Sequence, residues 1–507
     1  MAEQTQAGGP DLTLGVDEKD FPSSGMLAGH VGDDSVLVAR VGNEYFAIGA
    51  TCTHYGGPLG EGALTGDVVR CPWHHACFSV RTGEATLPPA LNPEPTFRVE
   101  RNAGRIVVRE KSVPPTRKKT PARTPESVVI IGGGAAGAAA AETLRKEGYE
   151  RSITIIDPDT DAPYDRPNLS KDYLAGNAPE EWIPLHPRDF YQERSITLSL
   201  GRQVASIDPR AKRVALDDGS TLEYDALLLA TGAEPIRLPE MVNSELPIYT
   251  LRSLADSRAI IAAAGKSRRA IVLGASFIGL EVAASLRARD LEVHVVAPES
   301  RPLERVLGPA LGDFIRALHE EKGVIFHLGH TAKRFGRSEV ELDDGSRLAA
   351  DFVVAGIGVR PRVALAEAAG LRLDRGVVVN ERMETGAPGI WAAGDIARWP
   401  DERYGGPIRV EHWVVAERQG RTAARNILGA GERHANAPFF WSAHYDVSIN
   451  YVGHAERWDA TEVDGDPMAR DVTVRFLDAG RVTAVATIFR DAESLAAEIV
   501  MERELAS

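Results

Sequence analysis

Cysteine is scarce in this chain, with three among 507 residues, at Cys52, Cys71 and Cys77. None follows Cys77, so the rest of the chain has no dithiol through which to pass electrons. If two of the three bind a metal centre, the third has no partner for an intrachain disulfide, which suits a reducing compartment. Long apolar runs are missing as well. The most apolar-rich stretch, Val128 to Ala141, is broken by four glycines, and no uninterrupted run reaches the ~20 residues that a membrane-crossing helix needs. Met1 to Asp11 is polar and acidic, without the basic and apolar regions of a secretion signal. A cytoplasmic location is therefore expected. Positive charge is in deficit. The 58 Lys and Arg against 72 Asp and Glu leave a net charge of −14, which argues against nucleic acid or an anionic membrane surface as the main partner.

The scarce cysteines are placed with purpose. Cys52 and His54 form a Cys-x-His pair; after sixteen intervening residues (55 to 70) Cys71 and His74 form a Cys-x-x-His pair. A Rieske-type [2Fe–2S] cluster needs two thiolates on one iron and two imidazoles on the other, and here each of two loops supplies one of each. Tyr55-Gly56-Gly57-Pro58-Leu59 and Pro72-Trp73 flank the ligands; glycine and proline let two tight loops close over an inorganic core. The competing reading is tetrahedral zinc, which also takes two cysteines and two histidines. Zinc spacing, however, usually groups the cysteines together and the histidines together. Cys77 reads as a small buried residue. Over residues 10–110 the chain resembles the Rieske ferredoxins, with one departure: His75 stands where that family usually has glycine.

With 43% hydrophobic and 26% charged residues the composition is that of a globular protein, and the length implies several domains. Residues 10–110 carry short alternating segments. Val36–Val41 and Tyr45–Ile48 read as strands joined at Gly42-Asn43, and Arg105–Arg109 reads as a last strand of an all-β module. Residues 111–126 hold four prolines and a basic cluster, the mark of a solvated linker. From 127 onward a strand–glycine–helix unit occurs twice. Val128–Ile131 leads into Gly132, Gly134 and Gly137; Ala270–Leu273 leads into Gly274, Ser276 and Gly279. Each is followed by an alanine-rich helix and a second strand, Ile153–Ile156 or Val293–Val296. Such βαβ units bind dinucleotides: the glycines allow a tight turn, close approach of backbone to pyrophosphate, and helix–strand packing. Asp157, at the end of its strand, is placed to hold ribose hydroxyls. At the second site serine replaces the middle glycine, Ala297 occupies the position where an acid would favour NADH, Glu299 lies two residues on, and Arg301 could meet a 2′-phosphate. NADH and NADPH both stay open, with a slight lean to NADH. After about residue 435, Asp471–Phe476 and Val482–Thr487 read as strands and the tail from Ala492 as a helix, in a separate α+β domain.

Residues 127–500 resemble the FAD-dependent pyridine-nucleotide reductases, and among them the ferredoxin reductases. The resemblance rests on Ala230-Thr231-Gly232, on Gly389-Ile390-Trp391-Ala392-Ala393-Gly394-Asp395, on Pro163 to Lys171 and on Glu411-His412-Trp413. It implies FAD binding by Gly132, Gly134, Gly137, Asp157, Arg166, Lys171, Val204, Ala230, Thr231, Gly232, Arg252, Gly394, Asp395 and Trp413. It implies nicotinamide-nucleotide binding by Gly274, Ser276, Ile278, Gly279, Glu281, Glu299 and Gly358. Lys171 and Glu281 are expected to pair beside the flavin, where a fixed cation stabilises the reduced, anionic form. The disulfide-reducing members carry a Cys-x₂₋₄-Cys pair beside the flavin, which is absent here.

The whole resembles the apoptosis-inducing-factor-like proteins, which fuse a Rieske domain to such a reductase. The expected architecture is an all-β Rieske domain (10–110), the linker, an FAD domain of two Rossmann-like segments (127–250 and 377–434), an NAD(P) domain (251–376) and a C-terminal α+β domain (435–507). The expected activity is electron transfer from NADH or NADPH through FAD to the chain's own [2Fe–2S] cluster, and on to an unidentified acceptor. A quinone-type small-substrate reductase and a slow redox sensor are the alternatives. The resemblance also implies a dimer interface in the C-terminal domain. Phe439-Phe440-Trp441 is an apolar cluster that would serve it, or equally pack internally.

Overall fold

A computed structural model describes residues 8–112, 122–242 and 244–506. Most of the expected linker, residues 113–121, and the first seven residues of the polar N-terminus lie outside the described residues. The chain divides into two compact units. One takes the N-terminal part of the chain together with Arg490–Arg503; the other holds the remainder.

Among its described residues the N-terminal unit is β-stranded apart from that C-terminal helix and two short 3₁₀ turns, Glu18–Asp20 and Leu59–Glu61. Six antiparallel strands run in the order Val16–Asp17, Arg105–Ser112, Thr96–Asn102, Glu44–Gly49, Asp34–Val41 and Met26–Val31. Alternation explains why Val36 to Ala39 are all buried. Leu37 and Ala39 face one cluster, which includes Cys52 and Cys71, while Val36 and Val38 face a second on the other side. Gly42 turns the hairpin between two of these strands at φ 61°. A smaller four-stranded sheet, Ala63–Thr65, Val68–Arg70, Cys77–Ser79 and Ala85–Leu87, carries the second ligand loop as the connection of a hairpin.

The second unit opens with the two expected βαβ units. Strand β1 (Ser127–Ile131) lies between β2 (Ser152–Asp157) and β3 (Ala226–Leu229) in a parallel five-stranded sheet completed by Ile196–Leu200 and Ile390–Ala392. Helix α1 (Ala135–Lys146) follows β1 and packs on α4 (Trp413–Ile427). The approach is so close that a Cβ on Gly420 would stand 2.1 Å from the Ala136 carbonyl oxygen, which explains the small residues along this face. The second parallel sheet runs Ile248–Thr250, Phe352–Ala355, β4 (Arg269–Leu273), β5 (Glu292–Ala297), Val324–Leu328, with α2 (Phe277–Ala288) after β4 and α3 (Glu304–Glu321) after β5. Their strands are near-continuous Val, Ile and Leu because both faces are covered. In the second sheet helices cover one face and the antiparallel strands Ala332–Phe335, Glu339–Leu342 and Arg347–Ala349 the other, and each such side chain contributes about 1.5–3 kcal/mol when fully buried.

The C-terminal part is an antiparallel sheet in the order β6 (Phe439–His444), β7 (Val447–Gly453), Arg481–Ile488, Asp471–Asp478 and Ala460–Asp466, followed by helix α5 (Asp491–Ala506). Phe439 and Trp441 are buried, and Phe440 packs on Phe277, so this apolar cluster serves internal packing. Among the described residues no helix is long and apolar enough to cross a membrane. The boundary expected for 435–507 crosses the division into units: α5 is contiguous with the C-terminal sheet, but Arg490–Arg503 makes its contacts in the N-terminal unit.

Candidate functional sites

In the N-terminal unit the two ligand loops repeat one backbone device. The Cys52 N–H donates to the Gly57 carbonyl at 2.8 Å, and the Cys71 N–H donates to the Ala76 carbonyl at 2.8 Å. Cys52 and Cys71 are buried and their thiols are in hydrogen-bond contact, so Cys71 pushes Cys52 up and Cys52 pulls Cys71 down. Backbone N–H groups of Trp73 and His74 also donate to the Cys71 sulfur, and that of His54 to Cys52, which favours thiolate. The His54 and His74 rings lie edge to face with centroids 5.0 Å apart. A Cβ on Gly57 would sit 2.7 Å from the Cys71 sulfur, so this glycine keeps the cradle open. Among the described residues the ligand atoms of no three of the four converge within 4.8 Å, as they would on one tetrahedral zinc ion. The donor set and its spread fit a [2Fe–2S] centre.

His75 fills the place expected for glycine and adopts glycine's conformation, at φ 61°. It is fully buried. Its Nδ1 lies 2.9 Å from Glu498 and its Nε2 3.2 Å from the Ser494 hydroxyl, both on α5. Arg70 also pairs with Glu498, and with Glu502 at 2.8 Å. Cys77 is buried, as expected, with its thiol directed at the His75 carbonyl oxygen.

In the second unit one continuous cleft of about 1520 Å³ takes walls from both βαβ units and the C-terminal sheet. That exceeds the usual range for one ligand of drug size. Gly132, Gly134, Asp157, Arg166, Val204, Ala230, Thr231 and Gly232 line its first part, with Arg252, Gly394, Asp395 and Trp413. Gly137 lies behind the wall, where an added Cβ would stand 1.9 Å from the Gly132 carbonyl oxygen. The Asp157 carboxylate accepts from the Gly133 N–H. Arg252 pairs with Asp395, and Arg166 faces the Trp413 ring at 5.7 Å. Burial, reinforced by Arg252, pulls Arg166 below its ordinary value. A helix N-terminus, two arginines and glycines too crowded for a Cβ fit a dinucleotide phosphate.

The other part of the cleft takes Ser276, Ile278, Glu281 and Gly358. Gly274 and Gly279 stand behind it, and a Cβ on Gly279 would meet the Gly274 carbonyl oxygen at 2.1 Å, as at the first site. Ser276 substitutes for glycine by capping α2: its hydroxyl accepts from the Gly279 N–H at 3.2 Å and donates to the Gly356 carbonyl at 2.6 Å. Glu299 is not among the cleft walls, whereas Arg305 and Val306, which the sequence did not single out, are. Arg301 is engaged with Asp313 at 2.7 Å and Glu304 at 3.2 Å.

Lys171 and Glu281 meet in this cleft, Nζ to Oε2, at 2.9 Å. Glu281 is 3% exposed and accepts two further hydrogen bonds, from Ser170 at 2.5 Å and Ser442 at 2.6 Å. Ser285 holds the Ser170 carbonyl at 2.7 Å and so fixes the loop that carries Lys171. Neither Ser442 nor the buried His444 and His319 beyond it carries a motif. Their shared location comes from a strand and a helix far apart in sequence.

Three family models match the chain: Rieske [2Fe-2S] domain over residues 14–99, pyridine nucleotide-disulphide oxidoreductase over 126–420, and reductase C-terminal over 439–506. The chain belongs to the pyridine nucleotide-disulphide oxidoreductase family, with a Rieske domain ahead of the reductase. Among its relatives is human apoptosis-inducing factor 3, 33% identical over 93% of this chain and 81% of the relative. Another is the ferredoxin–NAD(+) reductase component of the anthranilate 1,2-dioxygenase system of Burkholderia cepacia, 38% identical over 69% of this chain and 87% of the relative. The solved covalent putidaredoxin reductase–putidaredoxin complex is 36% identical with a TM-score of 0.72, covering 75% of this chain and 94% of that one. The protein is an NAD(P)H-driven, FAD-dependent oxidoreductase that moves electrons toward a Rieske-type centre.

Proposed function

We propose that NAD(P)H is oxidised in the cleft and that its electrons leave singly through Cys52, His54, Cys71 and His74 to an acceptor outside the chain. Bound FAD supplies acceptance of two electrons at once and their release one at a time. The chain's own contribution is electrostatic: Lys171 presents a cation to the isoalloxazine and Glu281, gripped by Ser170 and Ser442, aims it. The Lys171–Glu281 pair carries this reading. It is supported by the lack of any cysteine after Cys77, which leaves a one-electron centre as the protein's own outlet. Tethering carrier to reductase raises their effective concentration to roughly millimolar. Arg301 pairs with Asp313 and Glu304 and lies outside the cleft walls, which favours NADH, while Arg305 is a cation that stays on the wall for a 2′-phosphate.

Anaerobic rapid mixing with NADH and NADPH, following flavin absorbance and the cluster's EPR signal together, tests the route. Flavin reduction followed by cluster reduction is expected, faster with NADH. A cluster that stays oxidised while the flavin cycles would reject it. Lys171→Ala is expected to slow hydride transfer by about tenfold or more.

A further inference from the structure

We propose that Ser442, His444, His319 and Tyr445 form a proton path between the Lys171–Glu281 pair and solvent. The inference rests on the reading of that pair given above.

The need follows from stoichiometry. Oxidising NADH with one-electron acceptors runs as NADH + 2 acceptor(oxidised) → NAD⁺ + H⁺ + 2 acceptor(reduced). An iron–sulfur centre takes the electrons, and one proton per NADH must leave a site whose carboxylate is buried.

The side chains for it are in contact. Ser442 is 2.6 Å from Glu281 Oε1 and 3.1 Å from His444 Nε2. His444 Nδ1 is 3.2 Å from His319 Nε2, and His319 Nδ1 is 3.5 Å from the Tyr445 hydroxyl. Ser442 and His444 stand two residues apart on β6, on one face of the strand, and α3 brings His319 against them. Ser442, His444 and His319 are at most 1% exposed, whereas Tyr445 is half-buried beside exposed Asp446. The path therefore runs from interior to surface, and its longest step is at the outer end.

Its hydrogen bonds have one consistent direction. An ionised Glu281 only accepts, so Ser442 donates to it. His444 then donates through Nε2 to Ser442, His319 through Nε2 to His444 Nδ1, and Tyr445 to His319 Nδ1. Outward transfer from a protonated Glu281 needs the opposite set of donors, which each imidazole reaches by turning over about its Cβ–Cγ bond, and passage of one proton then restores the first arrangement. A relay of this kind needs imidazoles that are neutral at rest. Burial, with a smaller contribution from Lys171, pushes His444 down to about 3. Burial and then His444 hold His319 well below its ordinary value. Burial holds the Tyr445 phenol up, against a smaller opposing pull from Arg287. A carboxylate that only needed anchoring would be served by Ser170 and Lys171 without two histidines, edge to face at 5.3 Å between ring centroids, behind the serine.

The test uses the holoprotein and its His444→Gln and His319→Gln variants. NADH-driven reduction, re-oxidation by ferricyanide and proton release to a pH-indicator dye in weak buffer are timed separately. The expected result is that both variants slow proton release by about tenfold or more relative to hydride transfer, and that the wild type shows a larger solvent deuterium effect on re-oxidation than on reduction. Equal slowing of both steps, or unchanged proton release, overturns the path. Lys171→Ala separates the two readings. If it impairs turnover while the histidine variants release protons normally, the path alone fails; if it impairs nothing, the reading of the pair fails with it. ¹⁵N imidazole shifts of the cofactor-free protein give a check without turnover: neutral His444 and His319 protonated on Nε2 at pH 7 support the path, and an imidazolium at either overturns it.

Discussion

A Cβ has no room at Gly137 or Gly279, where it would meet a carbonyl oxygen at 1.9 Å or 2.1 Å. In both units the oxygen belongs to the first glycine of the fingerprint, so the third glycine lets the helix press its first turn onto the strand's end. Ordinary glycine flexibility is not the issue; neither residue has a left-handed φ, whereas Gly132 at 108° and Gly274 at 96° do. Overpacking of this kind costs about 1–3 kcal/mol, roughly 5- to 150-fold in affinity. Gly137→Ala is expected to purify with less bound FAD, and Gly279→Ala to keep its FAD but show a raised KM for NADH. Flavin content and steady-state kinetics measure the two; flavin loss in the second variant alone would contradict the assignment of the sites. Ser276 shows the converse. A side chain is tolerated at the middle position because its hydroxyl turns back to cap α2.

Helix α5 shows how an element can be legible while its place is not. Its helical pattern from Ala492 predicts a helix, and one is found over Asp491–Ala506. What it packs on is decided by Glu498 meeting Arg70 and His75, partners more than 400 residues away in sequence, and no local pattern encodes that. The same holds for the Ser442–His444–His319 chain, which unites α3 with β6. The Cys-x-His and Cys-x-x-His loops and the two glycine fingerprints were legible for the opposite reason: each site's chemistry is packed into a few consecutive residues, and a turn or helix start follows from them. His75 stood out as a departure from glycine, but its burial against α5 could not be foreseen. Glu498 is fully buried, and removing one partner of a buried ion pair costs about 3–5 kcal/mol. Glu498→Ala is therefore expected to lower the stability of the N-terminal unit by about that amount, and a chain ending at Phe489 by at least as much. Loss of the cluster's visible absorbance on heating or in urea reports it. Unchanged cluster retention in the shortened chain would show that α5 does not support the ligand loops.

At the scale of the whole molecule, burial sets opposing pH dependences in the second unit. His412, His434 and His444 are each pushed down to about 3, with burial the leading cause. The unfolded chain titrates them near 6.5. Their contribution is present above that pH and is lost as pH falls toward 3, because the unfolded state then binds protons that the folded state refuses. Each contributes a slope of about 1.4 kcal/mol per pH unit in that window. Glu417 acts in the other sense. Buried in α4 and facing Asp165 and Glu142, it is raised well above its ordinary value, burial being the largest cause. Its contribution is present below about 4.5, the unfolded value, and is lost as pH rises through the folded one. Acid unfolding should therefore steepen below pH 6.5, while Glu417→Gln, which removes only the second dependence, should stabilise the protein increasingly as pH rises above 4.5. Urea midpoints of the two proteins at pH 4.5, 6 and 8 decide it: coincident at the first and separated at the last is the expected pattern, and a constant gap across all three would mean that Glu417 is not held protonated by the fold.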